Sequence, residues 1–430
     1  MANVKKITWS EENAVCASIN GCKTVQRSTA TAALRNPDFR IVWLGTFASS
    51  IGTWMQNVVL GAFVLWLTGD PWFVALTFFA CMGPQLFLSP VGGLLADVVD
   101  RRKLLVSLQV EQLVFSVALA FVASGSHPNR WAILVCALLV GIGNALSAPA
   151  VASLLPTLVP REDLPGAVAL QATQYNLSRV IGAMSGAVLL SVFDFGTLFA
   201  VNAATYLFAI FSLVIAKYPG HISEPWSSSG LKQLFSGFQI AAADPLIRRI
   251  LTTMMMFSFF SLTFVGLLPV IATDNFGVAV PSSTYALLYS VYGLGALVAS
   301  VSIGRFLAGR SLARLIRGSF LVFAALLAGY ALTRQVQLAF PAGFALGFAY
   351  FSMVTSMSMT LQGHLDDQIR GRISGLWMMT FNGTVPLGSL VAGVSLLFIN
   401  VTTLLLFGAF VAVLLAVYCN LSKVMGDEPR

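Results

Sequence analysis

Long apolar runs, repeated along most of the chain, limit what this sequence can fold into. Each run approaches the roughly 20 residues that a helix needs to cross a hydrocarbon core about 30 Å thick. Of the 430 residues, 57% are hydrophobic and only 10% are charged, whereas soluble globular domains are about 25% charged. The two longer polar stretches, at 1–38 and 217–248, are shorter than a small domain. The sequence therefore predicts an all-α, multi-pass membrane protein without a separate soluble catalytic domain.

Glycine, proline and charged residues divide the apolar sequence into twelve predicted transmembrane helices. Their loops alternate between the two sides of the membrane, so each basic residue can be assigned to a side. With this assignment, 22 of the 25 Lys and Arg residues share one side, Arg130 and Arg334 lie on the other, and Arg179 lies within a span. The positive-inside rule then places both termini in the cytoplasm. The predicted spans are 41–67, 72–96, 103–124, 130–156, 167–191, 197–216, 250–273, 283–306, 316–333, 337–361, 373–398 and 401–420.

Charge and motif content exclude several classes of protein. The net charge of +8 follows from the sorting of basic residues and suits anionic membrane lipid, so no nucleic-acid partner is expected. The five cysteines are scattered and the three histidines stand far apart, so neither a disulfide framework nor a metal site is predicted. No P-loop, G-x-S-x-G or H-E-x-x-H motif occurs. We therefore expect no cofactor and no enzymatic activity. Without an ATP site of the P-loop kind, we expect any work that the protein does to be driven by an ion gradient.

A repeat at an offset of 208 residues divides the chain into two halves. Residues 36–40 (Asn-Pro-Asp-Phe-Arg) precede the first predicted span, and residues 244–248 (Asp-Pro-Leu-Ile-Arg) precede the seventh. Recurrence of a proline helix start at the midpoint indicates duplication, and parallel repeats around a shared site are a known transporter plan. The predicted organisation is a cytoplasmic tail (1–38), a six-helix bundle (39–216), a cytoplasmic linker (217–248), a second six-helix bundle (249–420) and a cytoplasmic tail (421–430).

The loop after the second predicted span carries a compact pattern of glycine, acid and base. Residues 92–103 read GGLLADVVDRRK. This pattern resembles the G-x-L-A-D-x-x-x-R-R signature of the major facilitator superfamily, and the chain is most similar to its drug and siderophore exporter branch, the transmembrane secretion effectors, which includes the enterobactin exporter. The likeness also covers residues 36–40, 155–164, 370–372 and 386–388. It implies the major facilitator fold, with twelve transmembrane helices in two pseudo-symmetric six-helix bundles.

The same motif predicts a cytoplasmic gate. A glycine lets two helices approach closely, and an acid at a helix end attracts nearby cations. The resemblance implies that the carboxylate holds the two halves together on the cytoplasmic side when the site faces outward. We therefore expect Gly93, Asp97, Arg101 and Arg102 to form this gate. The alternative is that the bases only set the topology while Asp97 is a solvated charge at a helix end.

Two ionisable residues stand inside predicted spans. Glu111 lies eight residues beyond Lys103, about 12 Å along the helix axis, and Arg179 lies near the middle of the fifth span. An ionisable group in hydrocarbon is costly unless it is paired or neutralised. Pairing of Glu111 with Arg179 reduces both costs, and protonation of the acid releases the arginine, so we predict that the pair couples transport to protons. A static structural pair within one half is the alternative.

The resemblance implies that the first, fourth, seventh and tenth spans line the substrate cavity, with additions from the fifth and eleventh. Methionine and aromatic side chains adapt to varied amphipathic ligands, whereas isolated amides in hydrocarbon need partners. We therefore expect a large, weakly polar cavity, with ordinary packing as the alternative for each residue. The predicted substrate-binding residues are Trp54, Gln56, Asn57, Asn144, Gln174, Tyr175, Met256, Phe260, Tyr350, Met353, Trp377 and Asn382.

These features predict a secondary transporter that works by alternating access. We expect a monomer in the inner (cell) membrane that exports an amphipathic small molecule, such as a drug, a siderophore or another toxic compound. By resemblance, protons move inward in exchange, so the expected partners are the small-molecule substrate, protons and membrane lipid. A lipid or lysolipid flippase of the same fold and a non-transporting membrane sensor are the alternatives.

Overall fold

The structure, a computed structural model, describes residues 30–190, 192–217, 229–280, 282–306 and 312–419, and the side chains of a few helical residues fall outside this description. The described residues form helices joined by short turns, without a β-strand. The helices are α1 (Ala30–Ala33), α2 (Pro37–Thr68), α3 (Pro71–Met82), α4 (Pro84–Val98), α5 (Arg101–Ala123), α6 (Arg130–Leu158), α7 (Leu164–Leu189), α8 (Phe195–Ile215), α9 (Ser229–Ala243), α10 (Pro245–Phe260), α11 (Thr263–Gly266), α12 (Leu268–Phe276), α13 (Ser283–Phe306), α14 (Leu312–Leu332), α15 (Val336–His364), α16 (Asp367–Met378), α17 (Thr384–Ser395) and α18 (Val401–Tyr418), with a π-helix (Met379–Gly383) between α16 and α17.

Nine helical stretches within the described ranges are long and apolar enough to cross a membrane, which confirms the all-α membrane class. The other three predicted spans fall on α7, on α13 and on the segment from α16 to α17. Helix α7 has membrane length but carries Gln171, Gln174, Asn176 and Arg179, so its composition is more polar. The count of twelve spans stays a prediction. The nine stretches are Pro37–Thr68, Pro71–Ser89, Arg101–Ala123, Arg130–Leu158, Phe195–Ile215, Pro245–Gly266, Leu312–Leu332, Val336–His364 and Val401–Tyr418.

Three spans that were predicted as continuous are interrupted. The second is divided at Gly83, immediately before Pro84, which has no N–H to donate to the preceding turn. In the seventh, α10 ends at Phe260 and is followed by the short helix α11 and by α12, which begins at Leu268. The eleventh contains the π-helix, where an extra residue widens one turn. Apolar composition alone does not reveal such breaks, because hydropathy carries no information about the local pattern of backbone hydrogen bonds.

The segment predicted as a linker contains regular structure. Helix α9 occupies Ser229–Ala243, and α10 begins at Pro245, five residues before the predicted start of the seventh span at 250. Asp244 caps α10 by accepting hydrogen bonds from the backbone N–H groups of Leu246 and Ile247, at 2.8 and 3.0 Å. This is the expected role of an aspartate directly before a helix-starting proline. Residues 1–29 and 420–430 lie outside the described residues.

The helices pack in two groups. In the first group, α2 packs on α7 and α8, α5 packs on α6 and α8, and α6 packs on α3 and α4. In the second group, α10 packs on α17 and α18, α14 packs on α15 and α18, and α13 packs on α15. The main contacts that join the groups are α7 with α13 and α3 with α17. The space between these contacts contains the candidate site.

Candidate functional site

A central cavity lies between the two groups of helices. Its volume is about 590 Å³ including the part that is open to solvent. The first group contributes residues from α2, α3, α4 and α7, and the second contributes residues from α11, α13, α15, the π-helix and α17. The lining residues are Trp54, Phe78, Met82, Gln85, Tyr175, Arg179, Leu262, Val265, Tyr289, Tyr292, Tyr350, Phe381, Asn382, Val385 and Pro386.

Arg179 occupies an aromatic cage in this cavity. Its guanidinium carbon lies 4.5 Å from the centre of the Trp54 ring, 5.4 Å from that of Tyr175 and 5.8 Å from that of Phe351. Trp54 and Tyr175 also contact each other edge to face, with ring centres 5.7 Å apart. Ring faces attract a cation electrostatically and replace part of its lost hydration. The rings therefore hold the guanidinium in place without neutralising its charge.

The predicted pair between Glu111 and Arg179 is not formed. Glu111 lies on α5, and its Oε2 lies so close to α6 that a Cβ added at Gly143 would overlap it. Arg179 lies on α7, which packs on α2 and α13 instead of on α5. Within the described part of the chain, Glu111 Oε2 is buried without a hydrogen-bond partner. The sequence places both residues inside predicted spans, but it could not show that their helices are not neighbours.

A second cavity, rich in amides and hydroxyls, lies within the first group of helices. Gln85 and Tyr175 line both cavities and so connect them. Gln174 donates to the Thr46 hydroxyl at 3.1 Å, and Gln112 donates to the Ser147 hydroxyl at 3.3 Å. We call this space the amide cavity. It is lined by Thr46, Ser49, Ser50, Thr53, Gln85, Gln109, Gln112, Asn144, Ser147, Ala148, Val151, Gln171, Gln174 and Tyr175.

Gln56 points away from both cavities. Its side-chain oxygen accepts hydrogen bonds from Asn202 at 2.7 Å and from Ser116 at 3.2 Å, and the residue is only 1% exposed. These three residues link α2, α5 and α8, so the network holds the first group together. The prediction that Gln56 contacts substrate does not fit this geometry, because its acceptor is already occupied by two donors.

The structure divides the twelve predicted substrate-binding residues into two sets. Five are packed against neighbouring helices: Met353 is fully buried, Phe260 contacts Phe407, and Trp377 stacks on Phe381. A helix in a transporter has several apolar faces, so composition does not tell which one meets the cavity. Asn57 lines a smaller space beside the central cavity, which shares Trp54 and Tyr289 with it. The residues that line one of these three spaces are Trp54, Asn57, Asn144, Gln174, Tyr175, Tyr350 and Asn382, and those that do not are Gln56, Met256, Phe260, Met353 and Trp377.

The predicted gate residues lie where α4 ends and α5 begins. A Cβ on Gly93 would find only ordinary contact with Pro149, whereas one on Gly92 would lie 2.7 Å from the Leu146 carbonyl oxygen, so Gly92 makes the close approach to α6. Arg101 donates to the carbonyl oxygens of Ala96 and Ser153, at 3.0 and 2.9 Å. Arg102 is half-buried. The side chain of Asp97 lies outside the described residues.

Two features of the site were missed by reasoning from the sequence. Tyr285, Tyr289 and Tyr292 follow one another at intervals of four and three residues on α13, a spacing that puts them on one helix face toward the cavities. Thr46, Ser49, Ser50 and Thr53 form a similar polar stripe on α2. Both patterns are visible in the sequence and could have identified the lining faces.

A side-chain hydrogen bond joins the ends of two helices in the second group. His364 Nε2, at the end of α15, lies 2.8 Å from Asp244 Oδ2, before the start of α10. Partial burial opposes ionisation of this carboxyl group, but hydrogen bonds from the Ile247 and Leu246 backbone and from His364 outweigh it and lower the pKa of Asp244. No metal cluster of His, Cys, Asp or Glu occurs among the residues that the structure describes.

Comparison with known proteins places this architecture among transporters. A family model described as "Transmembrane secretion effector" matches residues 28–428. The enterobactin exporter EntS of Escherichia coli O1:K1 / APEC is 27% identical over 354 residues, which cover 80% of this chain and 81% of that protein. The same exporter from Shigella boydii serotype 4 (strain Sb227) is 28% identical over 353 residues, with the same coverage.

Solved structures with a similar fold include other transporters. A variant of the nucleoside transporter NupG superposes with a TM-score of 0.72 at 14% identity, covering 89% of this chain and 98% of that one. A bacterial homologue of the human lysosomal transporter Spinster gives a TM-score of 0.65 at 15% identity, covering 90% and 96%. At such low identity these likenesses show a shared fold only.

Proposed function

The chain belongs to the transmembrane secretion effector family of major facilitator transporters, and from this we propose that it is a secondary active transporter that exports an amphipathic small molecule by alternating access. The observation that carries this proposal is the central cavity between two groups of helices, which combines one arginine with aromatic and amide side chains. Similarity to the enterobactin exporter over 80% of the chain supports export as the direction.

Matched helix contacts support two pseudo-symmetric bundles of six spans. If α2 to α8 form six spans and α10 to α18 form six more, the pairs α2–α8, α5–α8, α5–α6 and α4–α6 correspond to α10–α18, α14–α18, α14–α15 and α13–α15, and all eight are in contact. The joining contact of α7 with α13 corresponds likewise to that of α17 with α3. Such correspondence is expected of parallel repeats around an axis normal to the membrane.

The contacts between the two groups support an inward-facing state. The Tyr285 hydroxyl donates to the Val58 carbonyl oxygen at 3.2 Å, and a Cβ on Gly61 would lie 3.1 Å from Pro269. These contacts lie toward the Thr68 end of α2, which is the extracellular end if the basic residues mark the cytoplasm. The amide cavity lies toward the opposite end of α2, and we propose that substrate enters through it from the cytoplasm.

The predicted gate acts in the opposite, outward-facing state. We propose that Asp97, with Arg101 and Arg102, closes the cytoplasmic side when the cavity faces outward. Arg101 supports this position, since its bonds to Ala96 and Ser153 tie the motif to α6. Asp97→Asn is expected to slow transport with little loss of stability, because the site is at a helix end. A normal transport rate in this variant would discard the gate.

Glu111 is the remaining candidate for proton coupling. Its Oε2 is buried without a hydrogen-bond partner among the described residues, and no basic side chain in that part of the chain forms an ion pair with it. A carboxyl group in such a position is a candidate for binding and releasing a proton during the cycle. Arg179 is therefore not needed for this step, and we propose that it has a different role.

Everted membrane vesicles provide the test, because export from the cell becomes uptake into the vesicle. Vesicles with an acidic lumen should accumulate at least one of a panel of labelled amphipathic compounds, and an uncoupler should stop the accumulation. Glu111→Gln should remove the dependence on the pH gradient, while Glu162→Gln, at an exposed turn before α7, should keep it. Failure to accumulate any compound would remove the export proposal. Accumulation that ignores the gradient would remove only proton antiport.

A further inference from the structure

The charge of the central cavity is positive and uncompensated. Among its described lining residues, Arg179 is the only one that is charged at neutral pH. No carboxylate in the described ranges forms an ion pair with it, and its contacts are with Trp54, Tyr175 and Phe351. A cation held in a low-dielectric site attracts an anion more strongly than it would in water. The cavity is therefore built to receive negative charge from outside the protein.

Three buried polar atoms in and beside this cavity point to the same kind of ligand. Arg179 Nε, Tyr292 Oη and Asn57 Nδ2 have no hydrogen-bond partner among the residues that the structure describes. All three carry a hydrogen that can be donated. A buried donor without an acceptor is costly, so such atoms are normally satisfied by protein, water or ligand. Oxygen atoms of a bound anion would supply acceptors for a site rich in donors.

The rings of the cavity define the rest of the ligand. Tyr350 stacks on Phe381 and on Tyr292, with ring centres 6.3 and 6.2 Å apart, which leaves a continuous aromatic wall in the second group of helices. The guanidinium already occupies the ring faces of Trp54 and Tyr175, so a cationic ligand would meet like charge there. A planar aromatic group can pack against the wall while its acidic group approaches the arginine.

From these observations we propose that the central cavity binds organic anions that carry an aromatic ring, with Arg179 as the anchor of the anionic group. This inference rests on the proposed export function and names its substrate class. It also assigns Arg179 to substrate binding instead of proton coupling.

Three probes of nearly equal shape test the charge preference: naphthoate, naphthamide and protonated naphthamidine. Their binding to the full chain in lipid nanodiscs is measured by equilibrium dialysis. The anion should bind about 10-fold more tightly than the amide, since a charge-assisted bond to a guanidinium is one of the stronger hydrogen bonds. The amidinium should bind most weakly. Equal binding of the three probes, or no binding of any, would overturn the proposal.

Variants show whether Arg179 is the source of the preference. Arg179→Gln should remove the difference between anion and amide, and Arg179→Lys should keep part of it because the charge is retained. Arg130→Gln is the matched control: this exposed arginine also lies over two rings, Phe73 and Trp131, but outside the cavity, and the preference should be unchanged. A preference that survives in Arg179→Gln would overturn the assignment. If that variant does not fold, loss of most of the preference in Arg179→Lys supports the anchor and full retention contradicts it.

Uptake of the same probes into everted vesicles separates the two proposals. Uptake of all three at equal rates would refute the anion class while supporting export. Selective binding of the anion without transport of any compound in a wider panel would refute export and leave the binding site supported.

Discussion

Both groups of helices contain clusters of aromatic rings, but the buried hydrogen bonds between side chains that the structure describes lie in the first. In the first group, buried hydrogen bonds join Gln56 to Ser116 and Asn202. In the second, rings pack on rings, with Phe257 in contact with Phe320 and Phe323 at 5.3 and 4.9 Å between centres. Hydrogen bonds fix distance and direction, whereas ring contacts tolerate a range of arrangements. The cavity between the groups is lined by both kinds of side chain, with the amides of Gln85 and Asn382 beside aromatic rings from both groups.

The largest effect on stability is expected from adding a methyl group at a tight helix contact in the second group of helices. A Cβ on Gly347 in α15 would overlap the Tyr292 carbonyl oxygen of α13, whereas one on Gly343, a turn earlier, would meet nothing within 4 Å. Gly347→Ala should therefore destabilise the protein by about 1–3 kcal/mol, whereas Gly343→Ala should stabilise it slightly, because alanine favours a helix more than glycine does. Thermal unfolding in detergent measures both. Equal midpoints for the two variants would show that the second group is not close-packed at this contact.

The next largest effect on stability is expected in the first group of helices, where two adjacent residues, Gln56 and Asn57, can be compared. Gln56→Leu removes the acceptor for Asn202 and Ser116, and leaving those buried donors unsatisfied should cost about 1–2 kcal/mol. Asn57→Leu should cost almost nothing in stability, because the Asn57 amide nitrogen has no partner within the described residues. Ligand binding should show the opposite order, so that Asn57→Leu weakens it more than Gln56→Leu does. Weaker ligand binding in Gln56→Leu, at unchanged stability, would return Gln56 to the substrate site.

A smaller effect is expected at the cap of α10. Asp244→Ala removes the acceptor for the Leu246 and Ile247 N–H groups and should cost about 1 kcal/mol. Asp244→Asn should cost less, because its side-chain oxygen can still accept these bonds although the contact of the carboxylate with His364 is lost. The unfolding midpoints of the two variants give the comparison. If alanine and asparagine are equally harmful, the contact of the carboxylate with His364, and not the cap, stabilises this end of the second group.

The smallest expected effect is a dependence of stability on pH, caused by ionisation of the same residue, Asp244. The pKa of Asp244 is lowered in the folded protein, so its stabilising contribution is complete above the unfolded pKa, near 3.9, and is lost as the pH falls through the lower folded value. The wild type should therefore lose more stability than Asp244→Asn between about pH 5 and pH 3. Unfolding midpoints across this range measure the difference. Parallel curves would contradict the lowered pKa.

The sequence predicted the class and the family resemblance but not which faces of the helices line the site. A membrane requires apolar spans and sorts basic residues to one side, and both features can be read directly from the sequence. The contrast between Gln56 and Asn57 is a matter of helix rotation, which is set by packing with neighbouring helices. In the same way, the motif predicted a glycine at a close contact between two helices, but the prediction named Gly93, whereas Gly92 makes this contact with α6. The missing pair between Glu111 and Arg179 shows that shared depth in a membrane does not imply contact.

The interruptions in α3–α4 and α16–α17 have a mechanical consequence. A Cβ on Gly383, at the end of the π-helix, would lie 3.0 Å from the Leu86 Cβ in the first turn of α4, so the two interrupted rods touch close to their breaks. A rod that is already divided can bend at the break while the hydrogen bonds on either side stay intact. Because the two breaks are in contact, bending at one of them would displace the residues at the other, so a change of angle in one half would be felt directly in the other half.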